Sequence, residues 1–172
     1  MTEQNKYFEP INLRNTRITF RNFKGEDDGF NTNRARYFSI LLDEEMASDF
    51  ASKGLNVKYP KPNPNIDPSE DKRKPTLQVF LSNDSGPLKP HVRLYMVDEG
   101  VVRRIDNADH AQIGNLDSMR IESVDVSIQP SAWEYKGRTG VKCYINALYI
   151  KLAPTLDPFA AEYADNIDVP FD

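Results

Sequence analysis

At 172 residues with a single cysteine and a net charge of −4, the chain fits one domain, long enough to bury its own core and unable to form an internal disulfide. No run approaches the ~20 apolar residues that a membrane span requires, and the opening Met1-Thr2-Glu3-Gln4-Asn5-Lys6 is no signal peptide, so an intracellular, non-membrane protein is expected. The total charge conceals an asymmetry, because all 22 Lys and Arg lie at or before Lys151. Five of the 26 acids, Asp157, Glu162, Asp165, Asp168 and Asp172, fall in the final twenty positions. Residues 1–152 are therefore near neutral and free to hold a basic groove, whereas 153–172 carries acids alone.

Alternation at period two dominates the chain and predicts strands. Ile18 and Phe20 point one way, and Arg17, Thr19 and Arg21 the other. A loop rich in Gly, Asp and Asn (25–33) separates this strand from another over 35–42. Asp43 is a credible N-cap for a short helix over 44–53 that ends at Gly54, with Met46, Ala47 and Phe50 as its buried stripe. Glu44 and Glu45 suit its positive end. Residues 56–59 resume the sheet, and 60–75 then hold five of the twelve prolines among charges of both signs. That composition predicts a long exposed loop inside the domain, with three open roles: covering a bound strand, mediating self-association, or a tolerated insertion.

Beyond the loop, Leu77, Val79 and Leu81 share one strand face, and Val92, Leu94 and Met96 share another. Residues 101–105 read as strand and 106–117 as loop or weak helix. Val124, Val126 and Ile128 mark a half-buried strand, and 135–140 form a hairpin turn into the longest strand, 141–152. Cys143 lies in that apolar strand as a core thiol. The sum is a mostly β domain over 1–152: a small antiparallel Greek-key barrel of OB type with one short helix, a sandwich being the alternative. A disordered acidic tail follows over 153–172.

Binding single-stranded nucleic acid requires cations along the phosphates and flat rings on which unpaired bases stack. The early strands supply both in close order: Arg14, Arg17, Arg21, Phe23 and Lys24, then Arg34, Arg36, Tyr37 and Phe38. Parity places Arg17, Arg21 and Phe23 on one face, opposite Ile18 and Phe20. Trp133 and Tyr135, then Lys136 and Arg138, then Lys142 and Tyr144 form a second basic and aromatic group around the hairpin. Arg93 and Tyr95 share a third face and extend the platform. Each ring also has an ordinary reading as cross-strand packing, and Trp133 as a core anchor.

The tail ends Asp168-Val169-Pro170-Phe171-Asp172, acidic residues around an apolar tip that has no folding role. This tip resembles that of bacterial and phage single-stranded-DNA-binding proteins, in which acids precede a terminal Pro-Phe that docks replication and repair partners. Here Asp172 follows the phenylalanine, whereas in that family the chain-terminal carboxylate sits on the Phe. In the body, Thr19-Phe20-Arg21-Asn22-Phe23, Leu41-Leu42-Asp43, Trp133-Glu134-Tyr135-Lys136-Gly137 and Gly140-Val141-Lys142 resemble segments of small phage proteins of the same kind. The resemblance implies an OB fold and a non-enzymatic protein whose partners are single-stranded DNA and replication or recombination proteins held by Asp168 to Asp172; a homo-oligomer is left open by the sequence.

Catalytic readings are weaker. His91 and His110 have no spacing to Cys143 suited to nucleophilic catalysis, and neither a metal nor another cofactor is expected. Asp98 or Asp125 with Glu134 and Lys136 imitates the carboxylate and lysine set of a metal-dependent nuclease, a spacing that a heavily charged chain produces by chance. A structural or adaptor β module of a phage is the other alternative.

Overall fold

The computed structural model describes residues 8–154 and Phe159, so the readings made for the acidic tail lie outside the described residues. The strands are β1 (Ile11–Thr16), β2 (Ile18–Asn22), β3 (Arg36–Leu41), β4 (Val57–Lys58), β5 (Thr76–Ser82), β6 (Arg93–Asp98), β7 (Val101–Ile105), β8 (Ile121–Tyr135) and β9 (Arg138–Leu152). Helix α1 (Glu44–Ser52) follows β3 and α2 (His110–Asn115) follows β7. Among the described residues nine strands make one sheet in the order β1-β8-β9-β5-β3-β2, with β4 on β5, and β6 between β7 and β9. The mostly β reading is borne out.

One apolar cluster draws on β3, α1, β5, β6, β7, α2, β8 and β9, including Phe38, Ile40, Phe50, Leu77, Leu94, Ile105, Ile113, Ile128 and Ile145. A single sheet can enclose a single core only by curling around it, and this sheet curls without closing. Each such side chain withdrawn from water contributes about 1.5–3 kcal/mol before the entropic cost of ordering it. Among the described residues no helix is long and apolar enough to cross a membrane.

Several local expectations are met for the reasons given. The Asp43 carboxylate accepts the Met46 N–H at 2.7 Å, Ala47 and Phe50 are buried, and Gly54 follows at φ 88°. Other features differ. The sheet is not purely antiparallel, since β5 and β6 both run parallel to β9 along one edge. The 106–117 stretch, read as loop or weak helix, contains α2, capped by Asp109, whose carboxylate accepts the Gln112 N–H, so the described residues hold two α-helices where the fold reading had one. The strand β1, paired with β8, was not anticipated. The hairpin turn is only Lys136-Gly137, at φ 50° and 77°, the two positive values that a type I′ turn needs. As a result β8 and β9 extend together into a long arm.

The parity read for β2 fails at Phe20. That residue adopts φ 48°, and a bulge shifts the register against β3 between Thr19 and Asn22. Phe20 consequently turns out to solvent, 69% exposed, instead of joining Ile18 in the core. Phe23 swings the other way, fully buried and stacked on Phe38 with centroids 5.4 Å apart.

Candidate nucleic-acid interface

On β5 the core takes Leu77, Val79 and Leu81, which leaves Gln78 and Phe80 on the outer face. Register sets Tyr37 of β3 beside Phe80, and Tyr144 of β9 on its other side. The three half-buried rings form a row across three strands, with centroids 5.7 and 6.4 Å apart and planes inclined by 52° and 50°. Tilted rings do not cover one another, so no ring of the row is hidden by its neighbour. The Lys142 ammonium lies 4.1 Å from the Phe80 centroid and 5.5 Å from that of Tyr144. Asn83 holds both groups, its side-chain oxygen accepting from Lys142 Nζ at 2.6 Å and from the Tyr144 hydroxyl at 3.2 Å.

Strand β5 meets β9 at one pair only, Phe80 and Tyr144. Beyond that pair the two strands part, and a groove of about 530 Å³ opens between them. Asn56 and Gln78 line one wall, and Ser131, Trp133 and Lys142 the other. The arm's register sets Trp133 opposite Gly140, and Tyr135 opposite Arg138, on the face that carries Lys142 and Tyr144. Trp133 is thus not a core anchor but a 44% exposed ring lying over Gly140, where a Cβ would sit 2.6 Å from the indole. Only glycine admits the indole there. Tyr135, Lys136 and Arg138 are exposed at the arm's tip, with the Lys136 ammonium 5.2 Å from the Tyr135 ring.

At the opposite end of the ring row, Tyr37 borders a shallow hollow lined by Arg21, Lys24, Glu26, Asp28 and Asp117. Arg21 is partly consumed there, donating to the carbonyls of Leu116 and Met119 at 2.8 and 2.6 Å. Asp117 accepts the N–H groups of Phe23 and Lys24, so the end of α2 is stitched to the segment after β2.

Three anticipated contact residues lie in the interior. Phe23 and Phe38 are core, stacked on each other as described above. Arg36 is 2% exposed: its guanidinium donates to the carbonyls of Phe23 and Ser85, and its Nη2 lies 2.9 Å from His110 Nδ1. Burial lowers its pKa, and Asp117 and Asp84 oppose that shift. A guanidinium so enclosed braces three chain segments and cannot reach a phosphate. Arg34, at φ 60°, donates Nε to the Gly25 carbonyl, whereas Arg17 is simply exposed.

Arg14, Arg93 and Tyr95 belong to a different part of the surface. Tyr95 of β6 stacks on Tyr149 of β9 at 4.4 Å and 10°, and the Arg104 guanidinium from β7 lies 5.6 Å from the Tyr95 centroid. Arg93 is exposed opposite Ala147. Arg14 and Tyr149 share a hollow with Asp125, whose carboxylate accepts the Asn15 N–H and pairs with Lys151 at 3.0 Å. Burial alone would raise the pKa of Asp125, but these partners outweigh it and hold the pKa low. Asp125 and Glu134 are nine residues apart on β8, about 30 Å of strand. They share no ion site, and no three His, Cys, Asp or Glu among the described residues could hold a metal.

Phe80 was missed from sequence, although a signal existed. It is the apolar residue at a polar parity position, between Gln78 and Ser82, in a strand whose core face is already filled.

A family model described as "Putative phage ssDNA-binding domain" matches residues 1–171. No curated protein matches the chain. Among solved structures, the single-stranded DNA-binding protein from bacteriophage Enc34, truncated at its C-terminus, aligns at 9% identity and a TM-score of 0.46 over 85% of this chain and 87% of that one. The same protein in complex with ssDNA gives 10% and 0.46 over 85% and 88%. The gp2.5 single-stranded DNA-binding protein encoded by bacteriophage T7 gives 8% and 0.42 over 93% and 95%. With the family model spanning all but the last residue, the chain belongs to the phage single-stranded-DNA-binding domain family.

Proposed function

We propose that this protein binds single-stranded DNA without strong sequence preference, in the groove between β5 and the β8–β9 arm. Bases stack on Tyr37, Phe80, Tyr144 and Trp133, while Lys142, Lys136 and Arg138 meet the phosphates. The ring row with the Lys142 ammonium over Phe80 is the observation that carries this reading. Stacking is indifferent to base identity because every base has a π face, and duplex DNA hides those faces. The protein would protect exposed strands and remove hairpins during replication, recombination or repair, as a non-catalytic binder in the cytoplasm of the bacterial host.

In the same proposal the tail has two tasks. Without DNA its acids compete with phosphate for the groove. With DNA bound it is released, and Val169, Pro170 and Phe171, flanked by Asp168 and Asp172, enter an apolar pocket of a replication or recombination protein rimmed by Lys or Arg. Anisotropy with oligo(dT) and with duplex of equal length, each with and without Mg²⁺, tests the binding: oligo(dT) is held far more tightly and remains intact. Deleting residues 166–172 should leave DNA binding unchanged or stronger at low salt and abolish partner capture. Preference for duplex refutes the stacking mechanism, and weaker DNA binding after deletion refutes the competition.

A further inference from the structure

The segment between β4 and β5 has no part in the ring row, yet it is rooted at the groove. Lys58 pairs with Thr76, and antiparallel partners project to the same side. Thr76 has the parity of Gln78 and Phe80, so Lys58 stands on the binding face, about 13 Å along β5 from Phe80. Because β5 and β9 run parallel from Phe80 and Tyr144, the Thr76 end of β5 faces the Gly140 end of β9. The loop 59–75 therefore leaves the groove's mouth on one side, as the arm's tip does on the other.

The charges of the loop and of Lys58 at its root divide in two, with the exposed acid Glu70 standing apart from both sets. Arg73 is an internal strut: it pairs with Asp71 at 2.6 Å and donates to the Lys61 carbonyl at 2.7 Å, tying the two limbs together. Asp67 caps the 3₁₀ turn Pro68–Glu70 through the Ser69 N–H. Lys58, Lys61, Lys72 and Lys74 are all exposed, and each lacks an ion-pair partner among the described residues. Five prolines lower the entropic cost of holding these lysines in place, and the Pro75 carbonyl accepts the Leu42 N–H at 2.9 Å, anchoring one limb to the end of β3.

Resting on the reading above, we propose that the proline-rich loop is a second basic jaw. Lys58, Lys61, Lys72 and Lys74 grip the phosphates of single-stranded DNA across the groove from Lys136 and Arg138. The rings fix the centre of the bound strand, and the jaw sets how far the site extends beyond it.

The test measures salt dependence of binding to oligo(dT) of increasing length, for the wild type, for Lys58→Ala/Lys61→Ala/Lys72→Ala/Lys74→Ala, and for the same four changed to Glu. Each lysine that meets a phosphate contributes about 0.7 to the slope of log K against log salt. The alanine variant should lose up to about 2.8 of that slope on long oligomers, and the Glu variant more, while the shortest oligomer that spans only the rings binds as before. Thermal unfolding midpoints should not move. An unchanged slope at every length, or a loss equal for short and long oligomers, overturns the jaw. If binding needs Phe80 but not the lysines, the jaw alone is wrong. A wild-type chain that ignores oligo(dT) overturns both readings.

Discussion

The two aromatic patches on the outer face of this sheet use the same residue types and offer a bound base different things. Tyr37, Phe80 and Tyr144 tilt by about fifty degrees, so none covers another, and what lies over the middle ring is a lysine head on a flexible stem. Tyr95 and Tyr149 lie face on face at 4.4 Å, with the Arg104 guanidinium close to Tyr95. In the second patch the π surfaces already satisfy one another. A ring near an arginine is therefore not yet a stacking platform. What matters is whether another ring already covers its face, and that depends on register and tilt across strands distant in sequence.

The largest effect should come from emptying the open patch. Phe80→Ala with Tyr144→Ala removes two platforms worth about 1–3 kcal/mol each, so affinity for oligo(dT) measured by anisotropy should fall by one to several orders of magnitude. Phe23→Ala should act on stability alone. Its ring stacks on Phe38 in the core, and about 3–5 kcal/mol should be lost in denaturant unfolding. Tyr149→Ala breaks the closed pair, which should cost stability about 0.5–1.5 kcal/mol beyond the lost burial and shift oligo(dT) affinity less than about threefold. A loss matching that of the Phe80 and Tyr144 pair would erase the distinction between the patches.

The smallest signal concerns Cys143, which packs beneath the open patch between Lys142 and Tyr144. Burial pushes its thiol up to about 11, so it stays protonated near pH 8 and resists thiol reagents in the native protein. Because the folded pKa lies above the unfolded one, its contribution to stability is whole below the unfolded value. That contribution is lost as pH rises from there towards 11. Fast labelling at pH 8 without denaturant would show that the strand beneath the rings opens readily.

Much of the framework was legible from periodicity, because period two reports which face of a strand is buried whatever the fold. The core faces of β5 and β8, the Asp43 cap and the basic aromatic arm all follow from local pattern. The failures have long-range causes. No local residue announces the left-handed turn at Phe20 that reverses parity before Phe23. The burial of Arg36 depends on carbonyls at Phe23 and Ser85 and a ring at His110, which only the finished fold gathers. Arg14, Arg93 and Tyr95 were grouped with the groove because sequence distance says nothing about which side of a curled sheet a face adorns. Phe80 could have been found from its parity, but its place between Tyr37 and Tyr144 rests on pairings 43 and 64 residues apart.

The most direct measurement is the emission of Trp133, the single tryptophan, which lines the groove beside Lys142. Titration with oligo(dT) should quench it saturably, at the same midpoint as the anisotropy of labelled DNA. Emission that stays constant while anisotropy reports saturation would put the strand on another surface and contradict the account.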